Sequence, residues 1–380
     1  MKTKYWVALS SIEKIDSKFI ISLYNKFGDI ELAFRAGKDE ILQACNATVK
    51  KVDDFIDIRN RLDVDKVYED VLRRNIKVIT YEDSNYPFML KNIYDSPAVI
   101  YYKGDFSLCN LERTLAVIGS RRFSHNGKES LKYIMKDFLN TDLCIVSGLA
   151  TGADTSAHEF ALENNLKTIG VIGGGLDFIY PAHNKALYEK IINGNGVVMS
   201  EYYPTFEPLP YRFPQRNRIV SGLSYGTLVA EAALKSGALI TANLTLEQGR
   251  ELLCVPGIIT SPNTQGIYKL LKTGAHLVTS GEDVLEALGW EKIERQCSLF
   301  DTVTDVEENS ENSALTIDEK KILYTIEIEP KTFDEIQGVT GISTEDLLMA
   351  LTNLELNEYI EQTLGDRYKK RWVQQQKLKL

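Results

Sequence analysis

Between residues 115 and 279 apolar runs of strand length recur at 115–119, 144–147, 168–172, 197–200, 228–230, 252–255 and 276–279. Segments of helical length separate most of them. A strand covered on both faces shows no polar alternation, so such runs alternating with helices point to an α/β fold around a largely parallel sheet. Glycines close several runs, at Gly119, Gly148, Gly173 to Gly175 and Gly257. In a sheet of this kind ligands bind in the crevice outside the strand C-termini, and these turns place the expected site there.

The flanks read differently. Residues 5–70 give short helices at 12–27, 30–35, 38–45 and 49–61, broken at Gly28 and Gly37, and domains are expected at 1–75 and 76–290, the second opening with a strand-containing extension over 76–110. Residues 291–314 form an acidic, polar linker, including the run 305–313. Residues 315–368 give helices, a turn at Gly341, a last helix capped by Ser343 and a small β-wing tipped at 364–366, followed by a basic tail with Lys369, Lys370, Arg371, Lys377 and Lys379.

A net charge of -9 counts at first against a nucleic-acid partner. Its distribution matters more. Residues 1–110 hold 17 basic and 17 acidic side chains, residues 111–290 hold 16 and 17, and residues 291–380 hold 11 and 19. The middle is therefore neutral and free to focus its arginines into one groove. The N-terminus lacks the long apolar run of a signal peptide, and no segment approaches a membrane span. Five scattered cysteines without a Cys-x-x-Cys spacing suit reduced thiols, so a cytoplasmic protein is expected. Four histidines, none at ligand spacing, argue against a metal site, and no cofactor is expected.

Several turns carry chemistry. Gly119-Ser120-Arg121 ends a buried run, where glycine admits a phosphate, backbone amides accept its charge and arginine can grip it. Ser147-Gly148-Leu149-Ala150-Thr151-Gly152 makes a second such turn, followed by Asp154 and His158, one helical turn apart and able to pair. Gly173-Gly174-Gly175 fails the dinucleotide fingerprint because Phe178 stands where the third glycine belongs, and no Walker lysine loop exists. Gly222-Leu223-Ser224-Tyr225-Gly226 matches a hydrolase elbow literally, but a helix precedes it and a strand follows, the reverse of what the elbow needs. Tyr211-Arg212-Phe213-Pro214-Gln215-Arg216-Asn217-Arg218 clusters three arginines and an asparagine around aromatic rings, suited to gripping phosphates while a base stacks. Ser236, Gly237 and Thr241 add small and hydroxyl groups at another strand end.

Taken in order, these segments resemble the DprA/Smf family over residues 87–288. The resemblance rests on Gly119-Ser120-Arg121, Ser147-Gly148-Leu149-Ala150-x-Gly152-x-Asp154-x-x-Ala157-His158, Tyr180-Pro181-x-x-Asn184, Ser200-Glu201, Phe213-Pro214-x-Arg216-Asn217-Arg218-Ile219, Glu231-Ala232, Ser236-Gly237-x-Leu239-Ile240-Thr241-Ala242 and Val255-Pro256-Gly257. Ala153 and Tyr268 depart from the family pattern, which would place Ile and Asn there. The resemblance implies a Rossmann-like core, an N-terminal SAM-like or helix-hairpin-helix region and a C-terminal winged helix. It implies a protein that is not an enzyme, binds single-stranded DNA, forms a homodimer and helps load the RecA recombinase, in natural transformation or general recombination. Carried over by motif position, the pocket would use Gly119, Ser120, Arg121, Arg212, Phe213, Arg216, Asn217 and Arg218, supported by Ser147, Gly148 and Asn184. In the winged helix, Glu345, Asp346, Glu355 and Glu358 would repel phosphates, which favours a protein-interaction or regulatory role. Two competing functions remain open: a phosphoribohydrolase-type enzyme using Glu231, whose motif is incomplete here, and a sensor of small nucleotides.

Overall fold

The computed structural model describes residues 2–139, 141–290, 316–326, 331–357, 359–363 and 367–370. The expected linker at 291–314, Cys297, the wing tip at 364–366, Glu358 and the tail residues Arg371, Lys377 and Lys379 lie outside them. The chain divides into two compact units, Met1–Arg295 and Gln296–Leu380.

The first unit opens with six helices: α1 (Thr3–Ser10), α2 (Ser17–Phe27), α3 (Ile30–Arg35), α4 (Lys38–Ala44), α5 (Val49–Arg59) and α6 (Val64–Arg73). Local signals set their ends. Asp16, Asp29, Thr48 and Asp63 each cap a following helix by accepting a backbone N–H, and Gly28 closes α2 in the left-handed region at φ 67°. The sequence reading missed α1. Tyr5, Trp6, Val7, Ala8 and Leu9 are all buried, so the helix has no polar face over this stretch and lacks the 3.6-residue alternation by which a surface helix is recognised. No break in packing follows α6. Trp6, Leu23, Ile41 and Phe55 share one core with Tyr101, Leu187 and Tyr188 of the sheet region, and the six helices form a lobe of the same unit.

The sheet has nine strands: β1 (Lys77–Thr80), β2 (Val99–Gly104), β3 (Thr114–Ile118), β4 (Cys144–Ser147), β5 (Lys167–Val171), β6 (Gly196–Ser200), β7 (Gly226–Val229), β8 (Glu251–Cys254) and β9 (His276–Leu277). Their spatial order is β1-β2-β6-β5-β4-β3-β7-β8-β9. Strands β6 to β9 along this order run parallel, while β1 and β2 join antiparallel at one edge. Five crossover helices enter the argument below: α7 (His125–Lys136), α8 (Ala153–Glu163), α9 (Lys185–Asn193), α10 (Arg212–Gly222) and α11 (Gly237–Glu247). Strands β3, β4, β6 and β7 are buried at every position, which is why each read as an unbroken apolar run. The chain winds from β3 through β4, β5 and β6 in one direction, then returns to β7, β8 and β9 in the other. The switch of direction falls between β3 and β7, and the loops leaving their C-termini diverge to open a crevice.

The second unit is a winged helix. Its helices α12 (Ile317–Thr325), α13 (Phe333–Thr340) and α14 (Thr344–Leu356) accompany a three-stranded antiparallel sheet of Lys331–Thr332, Ile360–Thr363 and Arg367–Lys370. Gly341 adopts φ 67° as the cap of α13, and Ser343 caps α14 by accepting the Asp346 N–H. Ile322, Ile336, Leu347, Leu351 and Leu354 form its separate core.

Candidate nucleic-acid groove at the strand C-termini

A groove of about 480 Å³ opens at the β3/β7 switch, lined by Gly119, Ser120, Arg121, Gly148, Phe213, Arg216, Asn217, Ser236, Gly237 and Thr241 among others. Close packing of the loops makes it. A Cβ at Gly119 would sit 2.7 Å from the Ala153 Cβ, so glycine lets the start of α8 approach β3. Gly152, at φ +86°, meets the carbonyls of Ser120 and Arg121 from the neighbouring loop. Ser120 accepts the Arg122 N–H at 3.1 Å, which curls the β3 loop and leaves Arg121 and Arg122 exposed.

Helix α10 forms one wall. Phe213, Arg216, Asn217 and Val220, spaced as one helical face, all line the groove. The Phe213 ring lies 5.3 Å from that of Tyr180, and the Arg121 guanidinium stands 5.7 Å from the Phe213 centroid. Beneath them Arg216 is 4% exposed and donates to the carbonyls of Gly148 and Val171, at the ends of β4 and β5. Burial pulls the Arg216 pKa down to about 10, and Arg121 adds to the fall while Asp154 opposes it; the group stays charged at neutral pH. Asp154 is the carboxylate lining the groove among the described residues. Its pKa is raised by burial against the pull of Arg216 and of the Gly148 and Ala150 amides, which donate to it at 3.1 and 3.3 Å. Opposite α10, helix α11 points its N-terminus into the groove: Ser236 caps it by accepting the Ala238 N–H, and Gly237 places no side chain over the free amides. The site thus offers a cationic floor, an aromatic wall and a helix N-terminus, the combination that holds a phosphate chain beside a base.

Not every expected residue faces it. Arg212 and Arg218 turn to the other side of α10, a correction to the expectation of three groove arginines. Arg218 is gripped by both oxygens of Glu201 at 2.6 Å and donates to the Asp95 carbonyl at 2.7 Å. Burial alone would lower its pKa, yet the Glu201 pair more than offsets this and raises it. Arg212 is 2% exposed and donates to Glu13 at 2.6 Å. Ser147 is buried, its hydroxyl donating to the Val117 carbonyl, and Asn184 is buried, donating to the Leu149 carbonyl and Thr155 hydroxyl at 2.9 Å each. Both shape the β4 loop from behind; Asn184 supports Leu149, which sits at φ 56°. Asp154 and His158 do not pair. His158 instead shares a 2.7 Å hydrogen bond with Thr168. Lining residues outside the expected set include Asp154, Arg122, Asn263, which donates to the Arg122 carbonyl, and Tyr180, which reaches a side recess of the groove. Of these, Asp154 and Tyr180 had a sequence signal, in the Ser-Gly-Leu-Ala-x-Gly-x-Asp and Tyr-Pro-x-x-Asn segments.

Two catalytic readings lose their geometry. Ser224 follows α10 and precedes β7, is fully buried, and donates to the Val220 carbonyl, so it is no nucleophile elbow. Glu231 accepts the Ser124 N–H and hydroxyl at the start of α7, which commits its carboxylate to that helix end. Among the described residues no group of three or more His, Cys, Asp or Glu is placed to hold a metal, and no helix is long and apolar enough to cross a membrane. Cys45, Cys109, Cys144 and Cys254 are free and buried.

Residues 77–289 match the family model described as DNA recombination-mediator protein A, and residues 307–366 match the DprA winged helix domain. The chain belongs to the DprA/Smf family. The DNA processing protein DprA of Streptococcus pneumoniae is 47% identical over 203 residues, 53% of this chain and 71% of that one. Protein Smf of Synechocystis sp. is 31% identical over 97% of this chain and 98% of its own. The X-ray structure of the Streptococcus pneumoniae DprA superposes with a TM-score of 0.66 at 36% identity, covering 75% of this chain and 98% of that one. A second DprA structure, from Helicobacter pylori and described for its single-stranded DNA binding mode, gives a TM-score of 0.51 at 30% identity, covering 56% and 95%. In this DprA/Smf chain the Gly119, Ser147, Phe213 and Ser236 segments that carried the family resemblance line the groove, while Glu201 pairs with Arg218 in the cleft on the other side of α10.

Proposed function

We propose that the groove binds single-stranded DNA with little sequence preference and without catalysis. The observation that carries this reading is the alignment of Phe213 and Tyr180 beside Arg121 and Arg216 at the switch point. Arginines and a helix N-terminus neutralise phosphates of any sequence, and an aromatic ring accepts any base on its face. The single-stranded DNA binding mode described for the Helicobacter pylori relative supports it. On the same reading the protein is cytoplasmic, works as a homodimer and hands the strand to the RecA recombinase, as family membership implies. The helical lobe at 1–75 then serves as the family's SAM-like region, and the winged helix, acidic at Glu345 and Asp346 on its last helix, serves a protein partner.

The test is fluorescence anisotropy of a labelled oligo-dT over a salt series, with wild type, Arg121→Ala/Arg122→Ala and Phe213→Leu. Wild type should bind, with log K falling as log salt rises by about 0.7 per phosphate neutralised. The double arginine variant should flatten that slope. Phe213→Leu should keep the slope and lose roughly 1–3 kcal/mol of stacking. A folded protein that binds no single strand, or one whose affinity ignores salt, overturns the reading.

A further inference from the structure

Helix α10 separates two clefts. Its Phe213, Arg216, Asn217 and Val220 face the groove, whereas Arg212, Gln215 and Arg218 face a smaller cleft of about 170 Å³ walled by residues 13–17 of the helical lobe. Arg212, the first residue of α10, is 2% exposed. Its guanidinium donates to the Glu207 carbonyl and to Glu13, at 2.6 Å each, and lies 4.9 Å from the Tyr202 ring and 5.1 Å from the Phe206 ring. Glu13 belongs to the segment joining α1 and α2, and its side chain is 57% exposed. The next residue along α10 is Phe213, the ring of the groove. A second tie comes from the same lobe: Arg74, just after α6, pairs with Asp177, at the end of the glycine turn whose Gly173 abuts Phe213.

We propose that Arg212 is a positioning residue through which Glu13 of the helical lobe holds the first turn of α10, and so the Phe213 ring, in register for a base. This rests on the single-stranded DNA reading of the groove. Glu13 and Arg212 lie behind the wall and contact no nucleic acid. The helical lobe, which among the described residues contributes no lining residue to the groove, thereby governs its stacking half. A long-range charge effect has the opposite sign, because deleting a carboxylate near a polyanion site tightens binding. A positioning effect weakens it, because a buried guanidinium whose carboxylate partner becomes a neutral amide is left with an uncompensated charge and shifts towards another partner.

The decisive variant is Glu13→Gln in the full chain, read with an oligo-dT carrying one 2-aminopurine, whose fluorescence is quenched when it stacks. Affinity should fall about three- to tenfold, quenching should diminish, and the salt slope should stay unchanged. Arg212→Met should do the same, and adding Glu13→Gln to it should cost nothing more. Binding by Glu13→Gln that is equal to or tighter than wild type overturns the inference. So does an Arg212→Met slope lowered by the roughly 0.7 of one lost phosphate contact. Should Arg212→Met not fold, Glu13→Gln decides alone, since its side chain is mostly solvated. Wild type that binds no oligonucleotide sinks the reading of the groove; wild type that binds, with Glu13→Gln unaltered, sinks only this inference.

Discussion

His158 makes the stability of the sheet unit depend on pH in a way that can be worked out beforehand. The ring is fully buried, Nδ1 meets the Thr168 hydroxyl at 2.7 Å, and Nε2 is buried without a hydrogen-bond partner. Burial first, and the nearby Arg216 second, push its pKa down from 6.5 to about 3. The unfolded chain takes up a proton near pH 6.5, while the folded chain refuses it until about pH 3. Between those values the unfolded state binds more protons, so stability is complete above pH 6.5 and drains away as pH falls. At pH 5 the unfolded histidine is about thirtyfold more protonated than neutral, which amounts to about 2 kcal/mol. The figure hardly depends on the folded value as long as that lies well below 5. The assay is urea unfolding followed by tryptophan fluorescence, to which Trp6, buried in the same unit, contributes. His158→Gln keeps a polar group for Thr168 and removes the titration. The margin of wild type over the variant should shrink by about 2 kcal/mol between pH 8 and pH 5. Other groups, including Asp154 with its opposite sign, largely cancel in the difference. Parallel pH profiles for the two proteins would refute the argument.

Two further outcomes test the loops and the ion pairs. Gly152→Ala should lower both thermal stability and oligonucleotide binding, because φ is +86° and a Cβ would lie 2.8 Å from the Arg121 carbonyl oxygen; Gly274→Ala, at φ +101° with open space around it, should cost only about 1–2 kcal/mol in a melting experiment and leave binding intact. Arg218→Met should destabilise the unit by about 3–5 kcal/mol in urea unfolding, because it strands Glu201 as an unpaired, nearly buried carboxylate, and adding Glu201→Leu should recover much of the loss.

Where tertiary partners were not needed, the sequence was a good guide. Strands β3 to β8 lie within two residues of their apolar runs because parallel strands covered on both faces leave nothing polar to confuse the pattern. Helix ends such as Gly28, Gly341 and Ser343 were legible because their signals are local. Helix α1 was not, because burial of every residue from Tyr5 to Leu9 erased its periodicity. Within the site, glycines at strand ends and the Phe213 segment were legible as chemistry, but the fate of each arginine was not.

Arg212 and Arg216 show why. They stand one helical turn apart, and spacing alone puts them on one face. What divides them is distant: Glu13 lies 199 residues before Arg212 in the chain and draws it behind the wall, while the Gly148 and Val171 carbonyls hold Arg216 under the groove. The same holds for Arg218, which Glu201 claims from the end of β6. A cluster of arginines in a sequence therefore overstates the charge available to a ligand by the number of carboxylates the fold brings behind it. Here the clustered segment supplies one groove cation from its three, and the remaining charge comes from Arg121 and Arg122 in another loop. That division fits the two faces of α10: Arg216 faces the groove, while Arg212 and Arg218 are held by ion pairs on the other side.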